Sequence, residues 1–294
     1  LNTFCWWAIT HPFLYPKKLD EEFKNYILNI NKYRVRNFFD PSLVELLAGK
    51  AHRSLITHLK FSPDGRFLVS TSLDGLAKVW DVASGVLIHV LSLHRSSIRA
   101  LDISSDGEFV ALGSTDGTAS IWDLKCGVLI NILGDHRDGI TSVQFSPDSS
   151  RLMVSSWDRR ATVWSVDEGN LLYDLIGHNG AIVTGSFSPD GTKIITGSRD
   201  GTVRVWESES GGFLYVLQGH TYRITSASFS KGGDFILTTS WDHEPLLWDS
   251  HTGQLVSILQ GHKSSVYSGS FTPDGKRIVT GDRDGIVKIW SLDT

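Results

Sequence analysis

Histidine, aspartate and tryptophan return at one fixed spacing along this chain, with serines and threonines between them. The histidines are His52, His94, His136, His178, His220 and His262, each 42 residues after the last. Asp74, Asp116, Asp158, Asp200, Asp242 and Asp284 keep the same interval, as do Trp80, Trp122, Trp164, Trp206, Trp248 and Trp290. A histidine base, a carboxylate to orient it and a hydroxyl are the parts of a nucleophilic hydrolase. Six equivalent sets argue against that chemistry, because a preorganised catalytic site is built once, in one pocket. The other histidines, His11, His58, His89, His243 and His251, are scattered, and neither Cys5 nor Cys126 has a partner at metal-ligand spacing. The glycines stand in turns and form no phosphate-cradling loop. The sequence therefore predicts no catalytic residue, no metal and no cofactor.

The elements that hold these residues read as short strands. In the fourth copy, residues 182–187 are apolar or small and close on Ser188-Pro189-Asp190-Gly191. Proline presets φ at the second position of a type I turn, and glycine suits the fourth. Residues 193–198 form a second strand, ended by Arg199-Asp200-Gly201. In the third, 202–206, Val203 and Val205 share one face while Arg204 and Trp206 take the other. A fourth strand, 213–217, leads to Gly219-His220 and the next copy. Strands this short, joined by tight turns at a fixed long period, predict an antiparallel all-β repeat array.

Bulk properties narrow the function. A net charge of −4 gives no electrostatic case for nucleic acid or an anionic membrane. Two cysteines are too few for a disulfide framework, which favours a reducing, intracellular setting, cytoplasmic or nuclear. No apolar run approaches the ~20 residues that cross a bilayer. The sequence starts at Leu1 rather than Met, which reads as a native start lying upstream.

Gly-His opening each copy and Trp-Asp near its end, or variants of both, resemble the WD-repeat family of β-propellers, over residues 42–294. Trp-Asp stands at Trp80, Trp122 and Trp248, whereas Ser165, Glu207 and Ser291 follow the other three tryptophans. The resemblance implies that histidine, aspartate, a second-strand hydroxyl and tryptophan form a buried hydrogen-bonded chain in each blade. Carried over, the hydroxyl is Ser70, Thr196, Thr238 and Thr280, but the position holds Leu112 and Val154 in the second and third copies. Weaker internal struts are expected in those two blades. The last copy stops after its third strand, and residues 42–49 align with 254–261, a fourth strand. Six blades closed by that N-terminal strand are the expected ring; a seventh would have to lie outside this sequence.

Residues 1–41 are a separate N-terminal segment. Leu19, Phe23, Tyr26, Ile27 and Ile30 have helical spacing, with Pro16 before them and Pro41 after. Leu1, Cys5 and Ile9, followed by Leu14-Tyr15-Pro16, resemble a SOCS box, the segment through which substrate receptors engage elongins and a cullin. Trp6 replaces the arginine that follows the cysteine in that motif.

Resemblance to WD-repeat propellers implies partner contacts at three positions per blade, three and five residues after the histidine and one before the aspartate. These read Leu55, Ser97, Gly139, Ala181, Arg223 and Ser265; then Thr57, Arg99, Thr141, Val183, Thr225 and Tyr267; then Leu73, Thr115, Trp157, Arg199, Trp241 and Arg283. The set holds four arginines, two tryptophans and a tyrosine but no acid, in a chain with 32 acidic residues. Arginine, tryptophan and tyrosine dominate binding hot spots, and guanidinium forks pair with carboxylate and phosphate. The expected function is a non-enzymatic protein-interaction scaffold whose partners are proteins or peptides, acidic or phosphorylated ones in particular. The alternative is a substrate receptor of a cullin-type ubiquitin ligase, with Leu1, Cys5 and Ile9 on the adaptor.

Overall fold

The structure, a computed structural model, describes residues 51–292. They form 23 strands in six antiparallel sheets, each a blade of strands in sequence order. Blade 1 holds β1 (Ile56–Phe61), β2 (Phe67–Ser72), β3 (Leu76–Asp81) and β4 (Leu87–Ser92). Blade 2 holds β5 (Ile98–Ile103), β6 (Phe109–Ser114), β7 (Ala119–Asp123) and β8 (Leu129–Leu133). Blade 3 follows with β9 (Ile140–Phe145), β10 (Arg151–Ser156), β11 (Arg160–Ser165) and β12 (Leu171–Ile176). Blade 4 has β13 (Ile182–Phe187), β14 (Lys193–Ser198), β15 (Thr202–Glu207) and β16 (Phe213–Gln218). Blade 5 has β17 (Ile224–Phe229), β18 (Phe235–Ser240), β19 (Leu246–Asp249) and β20 (Leu255–Ile258). Blade 6 has three strands: β21 (Val266–Phe271), β22 (Arg277–Asp282) and β23 (Val287–Ser291). The strands expected at 202–206 and 213–217 each run one residue further. The segment 1–41 and the expected closing strand 42–49 lie outside the described residues.

Tight turns set the strand lengths. At Ser188-Pro189-Asp190-Gly191 the Gly191 amide returns to the Ser188 carbonyl at 2.9 Å, and Gly191 takes φ +72°. Ser188 donates to Asp190 at 2.5 Å, and the Thr192 amide donates to the same carboxylate at 3.0 Å, so the side chains of the turn lock its shape.

Five hydrophobic clusters hold the blades together, one at each successive interface. In the cluster between blades 2 and 3, Ala111, Ala119 and Ile121 of one blade meet Val143, Phe145 and Trp164 of the next. The other four clusters join blades 1 and 2, 3 and 4, 4 and 5, and 5 and 6 in the same way. First strands lie innermost, β1 packing on β5, β5 on β9, β9 on β13, β13 on β17 and β17 on β21. Hydrogen bonds cross the same interfaces. Thr57, Thr141 and Thr225 donate to the Ile98, Ile182 and Val266 carbonyls at 2.7, 2.9 and 2.7 Å. On the outer strands Asn131 donates to the Val166 carbonyl at 2.8 Å, and Tyr173 and Tyr215 donate to the Ser208 and Ser250 carbonyls.

Candidate partner-binding face

The start of each first strand and the end of each second strand lie at the same end of a blade, so the histidine loop and the aspartate turn meet there. In blade 4, His178 Nδ1 lies 2.9 Å from Asp200, and Nε2 lies 2.9 Å from Thr196 Oγ1. Trp206 Nε1 donates to that hydroxyl at 2.9 Å. With the proton on Nδ1, histidine donates to the carboxylate and accepts from the hydroxyl, so both ring nitrogens of His178, the Thr196 hydroxyl and the Trp206 indole N–H have partners. The Asn179 amide and the Thr202 amide and hydroxyl complete the Asp200 carboxylate. Burial works to raise the Asp200 carboxyl, and the hydrogen bonds of His178 and Thr202 outweigh it, holding that group well below the usual carboxylate range. The chain recurs through His52–Asp74, Ser70 and Trp80 in blade 1 and through His220–Asp242, Thr238 and Trp248 in blade 5.

Two expectations about these chains are corrected. Blades 2 and 3 are not short of a hydroxyl: His94 Nε2 meets Ser120 at 2.9 Å and His136 Nε2 meets Thr162 at 2.9 Å. Trp122 and Trp164 donate to the same two hydroxyls at 2.8 Å. Ser120 faces Leu112 across the ladder and Thr162 faces Val154, so the hydroxyl has changed places with its cross-strand neighbour. In blade 2 the histidine also turns partly away from its acid, with Nδ1 3.1 Å from Thr118 and 3.5 Å from Asp116. In blade 6 the acid that meets His262 is Asp282, at 2.7 Å, and not Asp284. Asp282 stands where the other blades have Ser72, Ser114, Ser156, Ser198 and Ser240. There it also accepts the Asp284 and Ile286 amides, while Thr280 bonds both His262 and Trp290.

Directly beside these chains, on the exposed side of the same loops, the arginines and tryptophans assemble. One backbone bond per blade fixes their positions. The Trp157 amide donates to Gly139, Arg199 to Ala181, Trp241 to Arg223 and Arg283 to Ser265, at 3.1, 2.9, 3.2 and 2.9 Å. Two of the three positions read from sequence are therefore neighbours in every blade. Gly139 makes room for Trp157, since a Cβ there would stand 3.2 Å from the indole. Trp157 then lies between Arg99 of blade 2 and Arg199 of blade 4, whose guanidinium carbons are 5.9 and 6.0 Å from an indole ring centre. Arg223 stacks on Trp241 at 3.0 Å, and the ring of Tyr267 from blade 6 packs tilted against the same Trp241, with centroids 5.9 Å apart. Burial, then the charge of Arg199, lowers the Arg223 pKa from its usual value, so the two cations feel one another.

The result is a ladder across five blades: Arg99, Trp157, Arg199, Arg223, Trp241, Tyr267. Cation–π contact of this kind contributes roughly 0.5–1 kcal/mol where exposed and holds each guanidinium plane in place. Among the described residues, no ion pair involves Arg99, Arg199, Arg223 or Arg283. Arg283 is exposed but joins no ring of the ladder. Thr57, Thr141 and Thr225, of the second positional set, are committed to the inter-blade bonds. Leu1, Cys5 and Ile9 lie outside the described residues.

Two residues of this face escaped the sequence reading. Arg159 and His243 follow the aspartate where the other four copies have glycine, and both are exposed with φ of +75° and +77°. An L-residue in that left-handed region costs roughly 1–2 kcal/mol. Both sit immediately beyond the ladder tryptophans, in Trp157-Asp158-Arg159 and Trp241-Asp242-His243. The exchange of glycine in only those two copies was the signal.

A cavity of about 370 Å³ opens at the opposite end of the first strands, lined by Lys60, Asp102, Gln144 and Lys231 among others. Its polar groups tie blades together: Lys60 pairs with Asp102, and Asp102 and Gln144 accept the Phe145 and Phe187 amides at 2.7 Å.

The family described as "IFT122 first beta-propeller" matches residues 55–244, more than half of the chain, and "WD domain, G-beta repeat" matches residues 253–291. The chain belongs to the WD40-repeat β-propeller family. Over 37 residues it is 49% identical to "Ribosome assembly protein 4" of Saccharomyces cerevisiae, a match covering 13% of this chain and 7% of that one. Over 42 residues it is 45% identical to "Uncharacterized WD repeat-containing protein L84" of Acanthamoeba polyphaga mimivirus, covering 14% and 32%. Each match is about one repeat long and spans a minor part of the relative.

Proposed function

We propose that this WD40 propeller is a non-enzymatic, intracellular interaction scaffold that takes an acidic or phosphorylated peptide segment along the Arg99–Tyr267 ladder. The observation that carries the reading is the row of cations held against aromatic rings with, among the described residues, no ion pair to a carboxylate. Stacking pre-orders each guanidinium while its N–H edge stays open, so less entropy is lost when a carboxylate or phosphate arrives. Arg199 and Arg223 repel one another until an anion lies between them, which favours a ligand of high charge density. The His–Asp–hydroxyl–Trp chains are satisfied internally and support a structural role. Fluorescence polarisation with a labelled acidic peptide bearing one phosphoserine tests the reading. Binding by the native chain with at least a tenfold loss in Arg199→Glu/Arg223→Glu supports it. Absence of any binding to the native chain sinks it.

A further inference from the structure

The cavity at the far end of the first strands is bordered by the first turn of several blades, and blade 5 departs from the others there. Asp64, Asp106, Asp148, Asp190 and Asp274 hold the third position of that turn in the other five blades. In each, the hydroxyl of the first turn residue donates to the acid at 2.5–2.6 Å. Pro63, Pro147, Pro189 and Pro273 hold the second position in four of them. Blade 5 reads Ser230-Lys231-Gly232-Gly233. The acid and the proline are gone and a cation has come in, yet the Gly233 amide still closes the turn on the Ser230 carbonyl at 3.0 Å. Ser230 is 7% exposed and accepts the Phe235 amide at 3.0 Å, but among the described residues its own proton has no acceptor.

The end of β17 adds two more donors. Asp102 and Gln144 each reach forward one blade to accept an amide, but blade 4 has Ser186 at that position, which donates to the Phe187 carbonyl at 3.1 Å instead. Among the described residues no side chain accepts the Phe229 amide. The Ser230 amide donates across to Phe235 of β18 at 2.8 Å, so the amide before it points the other way, toward the channel. Ser228 also lines the cavity, and its buried Oγ has no partner. Lys60 is neutralised by Asp102, whereas Lys231 joins no ion pair among the described residues. Asp234, the next acid along the chain, lies 3.5 Å from His251 and is not on the cavity wall. We propose that this cavity is an anion site, in which residues 228–231 hold a phosphate or the phosphate group of a small organic ester. Lys231 supplies the charge, and the Phe229 amide and the two serine hydroxyls, which rotate to suit an acceptor, supply the hydrogen bonds. Donors that lack acceptors of their own match phosphate oxygens, which accept. The volume of about 370 Å³ is that of a small-molecule site and leaves room for the organic part of an ester.

Titration calorimetry of the full chain with inorganic phosphate, in chloride buffer at constant ionic strength, should show a single site. Lys231→Pro/Gly232→Asp rebuilds the turn of blades 1, 3, 4 and 6 and gives Ser230 an acceptor. The Lys231 amide makes no hydrogen bond among the described residues, and a Cβ at Gly232 would meet only the exposed carboxylate end of Asp234, so the exchange fits the backbone. This variant should keep the native unfolding midpoint and bind phosphate at least about tenfold more weakly. Lys231→Met, which removes the charge alone, should weaken binding in the same direction. Glycerol phosphate binding more tightly than inorganic phosphate assigns the site to esters, and the reverse order assigns it to the free ion. Arg199→Glu/Arg223→Glu should leave both affinities unchanged, since the ladder lies at the other end of the blades. Loss in that variant would place the phosphate on the ladder and overturn the cavity site. Absence of binding by either probe, or full binding by both Lys231 variants, overturns it as well.

Discussion

The buried His–Asp–hydroxyl–Trp chains and the exposed arginine–tryptophan ladder are built from adjacent residues of the same loops. Asp158, Asp200 and Asp242 follow Trp157, Arg199 and Trp241 directly. Their physical states are opposite. Within the chains the ring nitrogens, hydroxyls and indole N–H groups are paired, and when a residue changes its partner changes too: Ser120 takes over for Leu112, Thr162 for Val154 and Asp282 for Asp284. Along the ladder no two blades are alike, the cations form no ion pair among the described residues, and beside it glycine gives way to Arg159 and His243 at positions that cost backbone strain. Compensation under variation marks what the fold needs. Variation without compensation marks where a ligand is expected to supply what is missing.

Removing a member of a buried chain should have the largest effect. Asp282→Ala strands His262 Nδ1 and two turn amides in a site where Asp282 is 3% exposed, so a loss of about 3 kcal/mol is expected in urea unfolding. Asp284→Ala should cost less than about 0.5 kcal/mol. Equal losses would break the distinction drawn between these two acids.

Acid should expose a second contribution of comparable size. Burial, then Arg99 and Lys60, pushes the His58 pKa down to about 4. The folded value lies below the unfolded one of ~6.5, so the unfolded chain binds the extra proton first. This contribution is full above pH ~6.5 and declines as pH falls toward 4, by on the order of 3 kcal/mol. His52 and His94, also lowered by burial, act in the same direction. His58→Ser, the residue of three other repeats at this position, should flatten the stability profile between pH 4 and 6.5. An unchanged slope would remove His58 from the account.

Ladder substitutions should divide the other way. Arg199→Glu is expected to weaken an acidic ligand at least tenfold, about 1.4 kcal/mol, while moving stability by no more than about 0.5 kcal/mol. The smallest effect is a gain: Arg159→Gly should stabilise by about 1 kcal/mol through relief of the positive φ, and His243→Gly likewise. Calorimetry showing either variant less stable would mean that these side chains contribute to folding.

The repeat period made the six sheets of the described residues, their strand order and the loop histidines legible, because each position is written six times. Strand ends were read to within a residue for the same reason. What stayed hidden were exchanges across a ladder. Ser120 and Thr162 belong to a neighbouring strand, 8 residues along the sequence from the positions they replace, and only register brings them opposite. Asp282 was hidden by the stronger periodic signal of Asp284. On the candidate face, residue types and offsets were readable, but the stacking order was not. That Trp157 bridges Arg99 and Arg199 depends on Gly139 leaving space, and that Arg223 stacks on Trp241 depends on a backbone bond within blade 5.

The central claim is that recognition is carried by the ladder and is separable from the fold. Selection of a random peptide library on the native chain and on Arg199→Glu/Arg223→Glu, at matched unfolding midpoints, tests it most directly. The native chain should enrich acidic or phosphorylated sequences, and the double variant should lose that enrichment while retaining its stability. Enrichment of the same sequences by both proteins, or of sequences without acidic character, would contradict it.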